Sequence, residues 1–212
     1  MERDPKRIVA DGYDAMAERY LAWSDFRPSA TRLRYLVLAL QLIPSGSDVL
    51  ELGCGAGMPM TAALALERTV TGVDISGTQL EMARRNAPSA TFIHADMTSL
   101  AFEPGSFDAV VAFYSLTHVP RDEHLPLLER IRTWLRPGGL FLASMGADDV
   151  PGEVEADWLG VDMYFSHFGA KANRRLVERA GLVIERSELA VEPEDRHDAR
   201  FLWVVARAPS AD

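Results

Sequence analysis

The sequence predicts an open α/β sheet, mostly parallel, with helices on both faces and a helical cap in front. Three observations predict it. From Asp48 onward, short apolar strands alternate with helical stretches, the pattern of repeated βα units. The first 45 residues read instead as helix. The tail beyond Leu182 reads as two strands suited to antiparallel pairing at one sheet edge.

Each element has its own signal. Ile8 to Trp23 carries Ile8, Val9, Tyr13, Met16, Ala17, Tyr20 and Leu21 at near-helical spacing. Pro28-Ser29 opens a second helix through Leu33, Leu36, Val37, Leu40 and Leu42, and Pro44-Ser45-Gly46-Ser47 closes it. Strands are expected at Val49–Leu52, Val70–Asp74, Thr91–His94, Phe107–Phe113 and Gly139–Met145. Helices are expected near Pro59–Glu67, Gly77–Asn86 and Asp122–Leu135. Ser76-Gly77-Thr78-Gln79 has the form of a capping box for the second of these helices. The last strands are Leu182–Val191 and Phe201–Arg207, joined by the acidic hairpin loop Glu192–Ala199.

Composition narrows the function. The chain has 212 residues, 48% hydrophobic and 25% charged, which suits one folded domain with a sizeable core. No apolar run approaches the roughly 18 residues of a membrane span. The charged Met1–Arg7 is followed by no apolar stretch of the kind a secretory signal needs. The single Cys54 precludes an intrachain disulfide and a cysteine-cluster metal site, and no histidine spacing suggests a metal. A cytoplasmic protein without a metal or a membrane partner is expected. The net charge is −9 and the isoelectric point about 5.1, unsuited to nucleic acid, which draws its affinity from clustered Lys and Arg. The densest basic runs are the pairs Arg84-Arg85 and Arg174-Arg175, each in an amphipathic helix. Oligomeric state is not fixed by the sequence; a homodimer is one assembly open to it.

The stretch Gly53-Cys54-Gly55-Ala56-Gly57 follows a buried strand and precedes a helix. Glycines there let the backbone approach a ligand at the carboxyl end of the first strand. The second strand ends in Asp74, 21 residues after Gly53, where an acid can accept both hydroxyls of a ribose. Together these features indicate a nucleoside cofactor. The dinucleotide fingerprint is incomplete, because Met58 stands where its last glycine would be and Pro59 follows. A pyrophosphate needs free amide donors at the helix start, and Pro59 removes one. NAD and FAD are thereby disfavoured. S-adenosylmethionine (SAM), which has no phosphate, escapes that objection.

Five segments in order carry a resemblance. Glu51–Gly57 (E-L-G-C-G-A-G) resembles the first motif of the class I SAM-dependent methyltransferases, and Val70–Ser76 the second. His94-Ala95-Asp96-Met97 is similar to their adenine-binding segment, and Phe107–Phe113 to their fourth strand. Leu135–Phe141 resembles the L-x-P-G-G-x-L/F segment leading into the fifth. The resemblance spans Val49 to Met145. It implies a Rossmann-like, seven-stranded sheet with an antiparallel C-terminal strand. It also implies SAM as cofactor, with S-adenosylhomocysteine as product. By position it implies that Gly53, Gly55 and Gly57 pass beneath the methionine part and that Asp74 holds the ribose. Ile75 would lie on the adenine, Asp96 would accept from its amino group, Met97 would pack on the ring, and Phe113 would lie near the methionine. Gln79 is a further candidate contact. Asp96 also suits a plain N-cap before Met97-Thr98-Ser99. Tyr13–Tyr20 (Y-D-A-M-A-E-R-Y) resembles a Y-D-x-x-A-x-x-Y segment of small-molecule members. Its two tyrosines share a helix face, Tyr20 assigned to the cofactor and Tyr13 to the substrate.

Methyl transfer is an in-line displacement and needs a base only for a protonated acceptor. Two histidines are candidates for that base: His118, in the loop after the fourth strand, and His167, in the insertion Gly146–Phe168. Trp158, Tyr164, Phe165 and Phe168 fall within eleven residues of that insertion, a density suited to a pocket wall. The chain thus reads as a single methyltransferase domain over 1–212. It divides into a cap (1–45), a SAM-binding core (46–145), a substrate lid (146–168), and a closing helix with a β-hairpin (169–212). Phe113-Tyr114-Ser115-Leu116 stands where the amino-methylating DNA enzymes of this class carry N-P-P-Y. The expected acceptor is a small molecule, methylated on oxygen or nitrogen. A protein methyltransferase of the same fold, with an open groove, and a SAM-binding protein without turnover are the alternatives.

Overall fold

The central strand, β1 (Asp48–Leu52), is buried from Val49 on, and the rest of the sheet grows from its two edges. The computed structural model describes residues 3–26, 29–193 and 198–210. β2 (Thr69–Asp74) and β4 (Phe107–Ala112) flank β1, both parallel to it. β3 (Thr91–His94) extends the β2 side and β5 (Leu135–Gly146) the β4 side, again parallel. β9 (Asp198–Arg207) then runs antiparallel to β5, and β8 (Val183–Pro193) closes the edge antiparallel to β9. The order is β3-β2-β1-β4-β5-β9-β8, the expected mostly parallel sheet with one reversed strand. It changes direction between β1 and β4, which places a ligand crevice at their carboxyl ends.

Period-two alternation divides the core. Leu50, Val110, Phe141 and Leu202 face α5 (Arg121–Trp134) and α6 (Ala170–Arg179). Val49, Val111, Leu142 and Trp203 face α2 (Ala30–Leu42) and α3 (Met60–Leu64). Trp203 stacks on Tyr35 of α2 at 4.4 Å between ring centroids. Ser29 caps α2 by accepting from the Arg32 N–H at 2.9 Å. Pro28, expected to open that helix, and the Glu194–His197 part of the expected hairpin loop lie outside the described residues.

Four expectations need correction. The last two strands run into the expected hairpin loop, to Pro193 and from Asp198, and pair there. β5 begins at Leu135, not Gly139, because Leu135 pairs with Phe107 before the Pro137-Gly138 irregularity. The capping box is half formed: Ser76 accepts from the Gln79 N–H at 3.1 Å, but the Gln79 side chain does not return the bond. It points instead into the crevice beside α4 (Gly77–Asn86). The insertion after β5 is a two-stranded antiparallel ribbon, β6 (Val150–Trp158) with β7 (Val161–His167).

The long first helix, α1 (Pro5–Phe26), lies against this ribbon and over the crevice. Val9 and Met16 of α1 form one buried cluster with Trp158 and Met163. The crossing is close: a Cβ added to Gly12 would sit 2.9 Å from Met163 Cε and 3.2 Å from the Asp162 carbonyl oxygen. No described helix is long and apolar enough to cross a membrane.

Candidate functional site

The glycine loop leaves β1 at the crevice floor. Gly53 has φ +73°, and a Cβ there would overlap the Cβ of Ser115, whose hydroxyl donates to the Leu52 carbonyl at 2.7 Å. Only glycine lets the loops after β1 and β4 meet this closely. The Gly55 N–H donates to Asp74 Oδ2 at 2.8 Å, and the Ser76 N–H to Oδ1 at 2.9 Å. Burial raises the Asp74 carboxyl above its ordinary value, opposed by these amide donors. Each of its oxygens keeps a second lone pair for a ligand.

A narrow cleft of about 90 Å³ runs over this floor beneath α1. It brings together Gly53, Gly55, Asp74, Ile75, Gln79, Asp96, Met97, Phe113 and Tyr20 from the expected cofactor set. Gly57 is the exception: a Cβ on it would lie 3.2 Å from the Ala83 Cα, so its glycine lets the loop pack on α4. Asp96 caps the short 3₁₀ turn Met97–Ser99, accepting from the Thr98 N–H at 2.8 Å, and pairs with Lys6 of α1 at 2.8 Å. Burial works to raise its carboxyl, but the bonds from Lys6 and Thr98 outweigh it and hold it below the ordinary value.

A larger cavity of about 470 Å³ adjoins the cleft, and Tyr13, Tyr20, Tyr114 and His118 line both. Its volume lies within the range of small-molecule sites. Of the expected substrate residues, Tyr13, Trp158 and Phe165 form its wall. Tyr164 and Phe168 do not. Tyr164 follows the strand alternation to the opposite side from Phe165, its phenol against Gly152. Phe168, beyond the end of β7, lies beneath the Arg121 guanidinium at 4.3 Å.

The two candidate histidines part company. His118, in the 3₁₀ turn Leu116–His118, sits where the cavities meet. Its Nδ1–H donates to the Tyr164 carbonyl at 2.8 Å, and its Nε2 lies 2.9 Å from the Tyr13 hydroxyl. Burial pushes its imidazole down to about 4. His167 borders neither cavity: its ring lies against Gly146, and its Nδ1–H donates to the Asp148 carbonyl at 2.7 Å.

Several wall residues escaped the sequence reading. Arg32 of α2 and Glu192 of β8 place a cation and a buried carboxyl in the larger cavity, where Glu192 accepts from the Tyr114 hydroxyl. Glu192 was assigned to a hairpin loop, but the strand continues through it and its alternation with Ala190 carries the signal. Glu51, under the glycine loop, accepts from the Thr61 hydroxyl at 2.6 Å, and burial pushes its carboxyl up to about 7.

The residues present fit SAM. Both polar atoms of the Gln79 amide are buried in the cleft without a hydrogen-bond partner, beside the acceptor Asp74 and the glycine floor. A buried amide left open in this way matches a ligand that brings its own polar groups.

Comparison with known proteins agrees. The methyltransferase domain family matches residues 49–139. The chain is 32% identical over 179 residues to the 27-O-demethylrifamycin SV methyltransferase of Amycolatopsis mediterranei, covering 74% of this chain and 65% of that protein. It is 36% identical over 124 residues to the trans-aconitate 2-methyltransferase of Paracidovorax citrulli, covering 57% of this chain and 46% of that one. It thus spans less than two thirds of the length of these relatives. The Burkholderia thailandensis 1,6-didemethyltoxoflavin-N1-methyltransferase, solved with 1,6-didemethyltoxoflavin and S-adenosylhomocysteine, superposes with a TM-score of 0.71 at 22% identity. That superposition covers 99% of this chain and 92% of the other. By motif order, sheet order and these matches, the chain belongs through its core to the class I SAM-dependent methyltransferases.

Proposed function

We propose that the protein transfers the methyl group of SAM to oxygen or nitrogen of a small-molecule acceptor. The observation that carries this reading is the pair of adjoining cavities, one over the glycine loop and one walled by aromatic rings, with four shared residues at their junction. SAM, when bound, supplies a methyl group on a positively charged sulfur.

In this reading Gly53 and Gly55 pass beneath the methionine part, and Asp74 accepts the ribose hydroxyls with the Gln79 amide beside it. Ile75 and Met97 pack on the adenine, and Asp96 accepts from its amino group. Tyr20 and Phe113 bound the methionine end. Gly57 leaves this set, and Pro59, with no N–H to give, still speaks against a pyrophosphate. Tyr13, Trp158 and Phe165 hold a partly apolar acceptor in line with the methyl group and exclude water. The relatives' names supply further support, since rifamycin, aconitate and toxoflavin compounds are all small molecules.

Titration calorimetry with SAM, S-adenosylhomocysteine and NAD tests the cofactor. Binding of the first two and not the third is expected; binding of NAD alone would overturn the proposal. A screen of phenols and amines for products 14 Da heavier, a methyl group replacing a hydrogen, tests the transfer.

A further inference from the structure

The tautomer of His118 follows from its contacts. The Tyr164 carbonyl oxygen, 2.8 Å from Nδ1, can only accept, so Nδ1 carries the hydrogen. In the neutral ring Nε2 is then a bare acceptor. The group 2.9 Å from it is the Tyr13 hydroxyl, which must donate. Tyr13 has therefore committed its one hydrogen to His118, and toward a ligand its oxygen acts as an acceptor. The imidazole is held in this orientation by Phe165 at 4.9 Å and Tyr13 at 5.4 Å, centroid to centroid.

We propose that Tyr13, not His118, meets the acceptor; that it selects acceptors whose nucleophilic atom carries a hydrogen; and that His118 receives the proton through Tyr13. The inference rests on the methyltransferase reading. As the acceptor atom forms its bond to the methyl carbon, the carbon–sulfur bond breaks and its electron pair stays on sulfur. The acceptor's hydrogen passes to Tyr13 Oη, and the hydrogen of Tyr13 passes to His118 Nε2. The positive charge lost at sulfur reappears on the imidazole, so the net charge of the site does not change. In a desolvated cavity that matters, because a new uncompensated charge there is costly. An ionised acceptor brings no hydrogen and meets only the lone pairs of Tyr13.

His118 is suited to the receiving end. Burial keeps it neutral at pH 7, with its acceptor nitrogen unprotonated. Tyr13 faces it from α1, the Tyr164 carbonyl from β7, and the His167 imidazole acts on it through space. Arg32, Tyr114 and Glu192 lie around the same cavity.

Nitrogen-15 NMR of the His118 ring tests the proposal on the whole protein and on Tyr13→Phe, with thermal melts to check folding. An Nδ1–H tautomer is expected, with an Nε2 signal that Tyr13→Phe moves while Nδ1 stays. A pH titration of the ring signals in saturated SAM and S-adenosylhomocysteine complexes reads the sulfur charge. The proton affinity of His118 should be about tenfold lower with SAM, as a like charge within reach requires. An Nε2–H tautomer, an Nε2 signal unmoved in Tyr13→Phe, or equal proton affinities in the two complexes overturns the proton path alone. Failure of both compounds to bind overturns the methyltransferase reading, and the path with it. Phenol and anisole, which differ in the one hydrogen, test selection in the S-adenosylhomocysteine complex. Phenol should bind at least about tenfold tighter, and Tyr13→Phe should erase the difference. Phenol binding no tighter than anisole, whether both bind or neither does, overturns the selection.

Discussion

Lys6 Nζ lies 2.8 Å from Asp96 Oδ2 and 2.7 Å from Glu123 Oε2, tying the first turn of α1 to the rim of the cofactor cleft. Two more polar links follow along the helix. Asp14 accepts from the Ser76 hydroxyl at 2.6 Å and the Thr78 N–H at 3.0 Å, and Tyr13 reaches His118. The helix thus covers the cleft through polar contacts at Lys6, Asp14 and Tyr13. Lys6→Met keeps the aliphatic stem and removes the charge. Half-buried ion pairs of this kind contribute about 1 kcal/mol, so S-adenosylhomocysteine should dissociate about fivefold faster. Stopped-flow fluorescence from Trp23 and Trp158, which line the adjoining cavity, reads the rate. An unchanged rate would show that α1 does not restrain release.

Asp74 should matter to the cofactor more than any other single side chain. In the proposed cofactor pose Asp74→Ala would strand the ribose hydroxyls, and it removes the acceptor of the Gly55 and Ser76 amides that shape the loop. A loss of SAM affinity of at least about tenfold is expected. Asp74→Asn keeps one acceptor oxygen and should lose less. Calorimetry on both variants checks the order; equal affinities for Asp74→Ala and the parent protein would remove Asp74 from the site.

How far the sequence could be read depended on the range of each signal. The strand-helix alternation and the loop ending β1 are local, so the sheet and the placing of Asp74 beside the glycine loop were legible in the sequence. The β6–β7 ribbon was not, although Val161, Met163 and Phe165 alternate as a half-buried strand does. Pro151-Gly152 and the acidic residues of β6 hid its partner. The insertion's aromatics stand out as a group in the sequence, but a count of rings does not say which way each faces. Hence Trp158 and Phe165 line the cavity, whereas Tyr164 and Phe168 do not. His118 and His167 were both candidates as sequence; the cavities that His118 lines and the packing of His167 against Gly146 separate them. Lys6 and Asp96 stand 90 residues apart, and nothing local in either segment announces their pairing.

Glu51 should give the fold a pH dependence of its own. Burial raises its folded pKa to about 7 from an ordinary 4.5, with the Thr61 hydroxyl opposing. A raised pKa means that the folded state binds the proton more tightly than the unfolded chain. Its contribution is fully present below pH 4.5 and is lost as pH rises through 7. Glu51→Gln keeps an acceptor for Thr61 and removes the ionisation. The variant should melt higher than the parent at pH 8 and close to it at pH 5. Parallel melting curves across that interval would show that Glu51 does not titrate with folding.

The Tyr114 hydroxyl donates to both oxygens of Glu192, at 2.9 and 2.7 Å, across the wall of the larger cavity. Tyr114 holds φ +59°, unusual for a residue with a side chain, and its N–H donates to Ser144 Oγ at 2.7 Å. Its ring packs edge-on against Phe201 at 4.9 Å. The strained backbone is thus fixed from both sides, which is where a binding site can hold such a conformation. Burial keeps the phenol well above its ordinary range, so it donates as a neutral group throughout the working pH range. Tyr114→Phe keeps the ring but leaves the Glu192 carboxyl, 8% exposed, without that donor. A loss of about 1–3 kcal/mol is expected, the cost of stranding a buried polar group. Glu192→Gln should cost less, because its amide can still pair with the phenol. In the double variant the second change should add little, since the interaction is already gone. Urea unfolding of the four proteins at pH 7 measures the coupling, and strictly additive losses would show that the two residues do not support each other.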